Sequence, residues 1–77
     1  MKYQILFFTH SGAIKFRRKT KKLGVSCDLM PVPRVLSSNC SVSARIDFNG
    51  DIQDLIDSEI EKIFTVNDDF IEVYSAE

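Results

Sequence analysis

The chain has 77 residues, 44% of them hydrophobic and 27% charged, with a formal net charge of −1. That size leaves no room for a second hydrophobic core, so residues 1–77 are expected to form a single domain, and the balance of apolar and charged residues is that of an ordinary soluble globular protein. Met1 to Phe8 is too short for a signal-peptide core or a membrane span, and Thr9, His10 and Ser11 end it, so the two cysteines predict reduced thiols in a cytoplasmic protein rather than a disulfide scaffold.

"YQILFF" (3–8) is rich in aromatic and β-branched residues, too short for a helix and apolar on both faces, which predicts a central strand. Thr9 and Ser11 are candidate N-caps for a helix in which Ala13, Phe16, Thr20 and Leu23 share a face, with Gly24 as its stop. "VSCDLM" (25–30) and "VSARIDF" (42–48) alternate as half-buried strands. Asn49-Gly50 turns the chain, and Asp51 is placed to cap a second helix carrying Ile52, Leu55, Ile56, Ile60 and Ile63 on one face. "FIEVY" (70–74) closes the chain as a fourth strand.

This order predicts an α+β, ferredoxin-like βαββαβ sandwich: a four-stranded antiparallel sheet with two helices on one face and strands one and three central. The expected inward set is Ile5, Phe7, Val25, Cys27, Leu29, Val42, Ala44, Ile46, Ile71 and Val73. The opposite face would expose Leu6, Phe8, Met30, Phe70 and Tyr74, a patch large enough to predict self-association as a homodimer. Residues 1–45 carry nine of the ten Lys/Arg against Asp28 alone, whereas residues 46–77 carry Lys62 against ten acids. Basic helix one beside acidic helix two explains that polarity without nucleic acid. On the open face Arg45 is the only cation near the aromatics, and the aromatic-flanked glycine motif of an RNA-binding sheet is absent, so a nucleic-acid partner is disfavoured.

Cys27 alternates in phase with Val25 and Leu29 and reads as a small core hydrophobe. Cys40 lies instead in a connection of about eleven residues, where hairpins usually take two to five. Pro31 and Pro33 stiffen its start, Ser37, Ser38 and Ser41 with the intervening amides can donate to an anion, and Arg34 adds a permanent charge that favours thiolate over thiol. On residues alone, a nucleophilic thiol and an ordinary surface cysteine are equally good readings. His10 is expected too far from this loop to serve Cys40 as a base, and Lys19, Lys21 and Lys22 are expected beside it. One histidine with two separated cysteines is a poor ligand set, so no metal or other cofactor is expected.

"LMPVPRVLSSNCSVSARID" resembles the signature of a family of small bacterial selenium/sulfur carrier proteins, and the resemblance extends over nearly the whole chain. Pro33, Arg34, Ser37, Ser38 and Cys40 match the family's loop; Asn39 stands in place of a third serine and Ser41 in place of glycine. The resemblance implies that Cys40 bears a persulfide or selenopersulfide, that Arg34, Ser37 and Ser38 support the anion, and that donor and acceptor proteins are its partners. Such a protein is a group carrier rather than a turnover enzyme. The alternative reading is a non-catalytic interaction or regulatory module that associates through its open sheet face.

Overall fold

The structure is a computed structural model that describes residues 1–76. Its elements in chain order are β1 (Lys2–Phe7), α1 (His10–Lys22), β2 (Cys27–Pro31), β3 (Val42–Asp47), a short 3-10 turn (Ile52–Leu55), β4 (Ile60–Val66) and β5 (Phe70–Ser75). The strands form one antiparallel sheet in the order β2-β3-β1-β4-β5. The molecule is therefore α+β with one helix and five strands, which overturns the ferredoxin-like sandwich with two helices on a four-stranded sheet.

The second helix fails for a local reason. Its apolar spacing fits a helical face, but Asp57 Oδ1 accepts the Glu59 amide at 2.9 Å and the Asp57 carbonyl accepts the Ile60 amide. This Asx-type turn offers the backbone an alternative to the helical ladder. Beyond it, "IEKIFTV" supplies the β-branched and aromatic side chains that a pleated surface accommodates best. That segment becomes β4, and "FIEVY" becomes the fifth strand rather than the fourth.

The first helix begins where expected. The Thr9 side chain caps it by accepting the Gly12 amide at 3.1 Å. Gly24, at φ +74°, turns the chain just after its end. Its buried residues are Gly12, Ala13, Phe16 and Thr20, while Leu23, assigned to the same face, is exposed. Gly12 allows a close approach, since a Cβ there would fall 2.9 Å from the Glu59 Cβ.

The core lies between α1 and one sheet face and contains Tyr3, Ile5, Phe7, Ala13, Phe16, Ala44, Ile46, Leu55, Ile60 and Ile63. The Phe7 and Phe16 rings meet at 5.4 Å between centroids, and full burial of each such side chain contributes about 1.5–3 kcal/mol. Val25, Cys27, Leu29 and Val42 pack against this core from the edge. Ile71 and Val73 do not: they are 61% and 48% exposed. One helix cannot cover five strands, and the register shift on β5 breaks the alternation that placed them inside.

The face away from the helix is held by polar contacts. Arg45 Nε donates to Gln4 Oε1 at 2.9 Å and Gln4 Nε2 to Ser43 Oγ at 2.7 Å, while the Ser43 hydroxyl lies within 3.3 Å of the Met30 and Pro31 carbonyls. Lys62 pairs with Glu72 across β4 and β5. Leu6 is fully buried, Tyr74 packs against the core on the helix side, and Met30 and Phe70 are half-buried. Of the five residues expected to form an apolar face, only Phe8 is exposed.

Candidate functional site

β2 and β3 are a hairpin whose last register pair is Pro31–Val42, so residues 32–41 form its loop. Pro31 ends an edge strand, where a missing ladder donor is tolerated. The Val32 amide donates to the Ser41 carbonyl at 3.2 Å and closes the loop's base, and the Leu36 amide donates to the Pro33 carbonyl at 3.0 Å in a tight turn. The chain then returns across the end of the sheet. Ser38 Oγ comes within 2.8 Å of Glu61 Oε1 on β4 and 3.3 Å of the Phe7 carbonyl on β1. The loop thus leaves an edge hairpin and is anchored two and three strands away.

This anchoring decides where Cys40 sits. Its amide donates to Ser38 Oγ at 3.2 Å, and its Sγ accepts the Val42 amide at 3.4 Å. The side chain is only 7% exposed, yet it lies outside the main hydrophobic cluster. Arg34 and Ser37 are exposed and make no hydrogen bond or ion pair among the described residues. The loop therefore brings Ser38 to Cys40, but no bond joins the Arg34 guanidinium to the sulfur.

Glu61 is the residue that sequence reasoning missed. Leu6 pairs with Lys62 and Phe7 with Ile60, so Glu61 is the extra residue of a β-bulge. Bulges re-aim side chains, and this one leaves Glu61 only 8% exposed, with its carboxylate bonded to the cysteine loop. In the sequence it passed for one acid on the outer face of a helix.

Two placements near the loop are corrected by strand direction. β2 and β1 both run antiparallel to β3, so their C-terminal ends share one end of the sheet. His10 lies at that end and lines a shallow apolar depression with Leu29, Met30, Pro31, Ser41 and Val42. The C-terminal end of α1 is at the other end, so its lysines are not beside Cys40. Arg17, Arg18 and Lys21 instead line a depression with Gly24, Val25, Ser26 and Cys27. Cys27 is half-buried, and burial, with a smaller contribution from Asp28, pushes its thiol pKa up.

Among the described residues, no group of three or more His, Cys, Asp or Glu is placed to hold a metal ion, and no helix is long and apolar enough to cross a membrane. A family described as "Putative Se/S carrier protein-like" matches residues 2–67, which includes every element from β1 to β4 and the whole cysteine loop. The chain belongs to that family. No curated protein and no solved structure matches it. For a member of this family, the name points to selenium or sulfur carriage and hence to donor or acceptor proteins as partners.

Proposed function

We propose that this family member carries sulfane sulfur or selenium on Cys40. The observation that supports this is the division of labour between its two thiols. Cys27 packs against the core, and burial favours its neutral, unreactive form. Cys40 is the less exposed of the two but lies outside that core cluster in the loop, with the Val42 amide directed at its sulfur, a contact that a sulfur anion accepts more strongly than a thiol does. Among the described residues Arg34 and Ser37 have no partners, and they are available to the cargo or to a donor's surface.

The transfer is an exchange at sulfur. The Cys40 thiolate attacks the terminal sulfur of a donor persulfide, R–S–SH; a new S–S bond forms, the donor's S–S bond breaks, and its electron pair leaves with R–S⁻. Cys40–S–SH results, with no external oxidant or reductant. An acceptor thiolate then attacks the terminal sulfur and releases the Cys40 thiolate. With R–S–SeH the same exchange gives the selenopersulfide. Incubation with glutathione persulfide tests this by intact-mass measurement. The unmodified chain and Cys27→Ala are expected to gain one sulfur atom and Cys40→Ser none; equal loading of Cys40→Ser, or no loading of any form, refutes the assignment.

A further inference from the structure

Glu61 is a buried carboxylate with no part in the exchange just described. Desolvating a charge is costly unless it is paired or hydrogen-bonded. Among the described residues no cation lies within ion-pair distance of Glu61, and the Ser38 hydroxyl at 2.8 Å is its hydrogen-bond donor. That one hydroxyl acts in both directions. It donates its proton to Glu61 and accepts the amide of Cys40. The bulge that turns Glu61 inward, the loop that crosses three strands and the burial of the thiol thus converge on a single side chain.

Burial of Cys40 conflicts with group transfer. A cysteine residue that is only 7% exposed gives little access to the thiolate of a protein-sized partner, which must approach along the axis of the bond being exchanged. We propose that Glu61 is a positioning residue for Cys40: acting through Ser38, it latches the loop across the ends of β1 and β4, and the thiol works when Ser38 lets go. The importance of the latch for carriage rests on the reading of Cys40 as the group-bearing thiol, but the latch itself is a property of the loop and can be measured apart from it.

The test measures alkylation of Cys40 by iodoacetamide in the full chain carrying Cys27→Ala, under native conditions at fixed pH. Losing a hydrogen bond to a charged group raises the open population by about tenfold or more, so Glu61→Ala and Ser38→Ala are each expected to speed alkylation by that factor. Glu61→Gln keeps an acceptor for Ser38 but not the charge, and is expected to fall between the parent rate and that of Glu61→Ala. Lys19→Ala weakens a contact that involves no loop residue and controls for general loosening. Should Glu61→Ala fail to fold, Ser38→Ala, a substitution in a half-buried loop residue, carries the test alone. Unchanged rates in both alanine variants, or equal acceleration by Lys19→Ala, overturns the proposal. Iodoacetamide reports exposure whether or not the sulfur bears a cargo. Failed persulfide loading with an intact alkylation pattern would therefore remove the carrier reading and leave the latch.

Discussion

Cys27 shows how one residue's surroundings set its chemistry. It alternates with Val25 and Leu29 along the edge of the core, where burial raises its pKa above the ordinary 9.0 and a bond with the Thr20 side chain offsets part of the shift. The folded state thus holds the thiol proton more tightly than the unfolded chain does. The resulting stabilisation is fully present below the unfolded pKa and is lost as pH rises from there through the folded one. Urea unfolding of the native chain is expected to show stability falling as pH rises above about 9, the usual range for thiol ionisation. Cys27→Ala is expected to flatten that fall, and an unchanged slope counts against burial as the cause. Cys40, thirteen positions later, is the more buried of the two but is held in a loop outside the main core cluster, so residue identity alone does not distinguish the two thiols.

Among the elements, α1 and the segment between β3 and β4 show where helical spacing misleads. The basic helix and the acidic stretch do lie together: Lys15 pairs with Glu59, and Lys19 reaches Asp57 at 2.7 Å and the Leu55 carbonyl at 2.8 Å. The acidic stretch is a short 3-10 turn and an Asx turn, however, and its capping groups are used within those turns. Lys19 thus satisfies a carbonyl that a continuous helix would have bonded internally, and its ammonium also lies 5.3 Å from the Phe16 ring centre. Both partners of the ion pair are partly exposed, so screening limits its worth. Lys19→Ala is expected to cost about 1 kcal/mol in a denaturant titration. A change within error would mean that solvent replaces both contacts equally well.

For the molecule as a whole, β5 completes the sheet beyond the stretch matched by the family. Tyr74 packs against the core, Lys62 pairs with Glu72, and the Ala76 amide donates to the Glu61 carbonyl at 2.9 Å. The last bond ties the backbone of the bulge on which the cysteine loop is latched. A chain ending at Asn67 would leave β4 as an unpaired edge, open to pairing with other chains. It is expected to unfold at a lower temperature and to alkylate Cys40 faster than the full chain. An unchanged melting midpoint would show that the first four strands suffice.

Alternation and capping were legible in the residues themselves. β1, α1, β2 and β3 follow from period-two and period-3.6 burial, the Thr9 cap and the turn at Gly24, because these depend on neighbours within a few positions. The cysteine loop was legible from its length and chemistry, and its family from its motif. The replacement of the second helix by β4 was not, since isoleucines at positions 52, 56, 60 and 63 suit either period and pairing with β1 decides between them. Nor was the site's real geometry. Glu61 meets Ser38 only because a bulge on β4 and a loop from β2 arrive at the same end of the sheet, and His10 reaches that end because β1 and β2 run parallel. Local sequence determined which thiol is packed and which is in a loop. Tertiary structure decided that the loop thiol is buried, because the contacts that bury it come from strands distant in the chain.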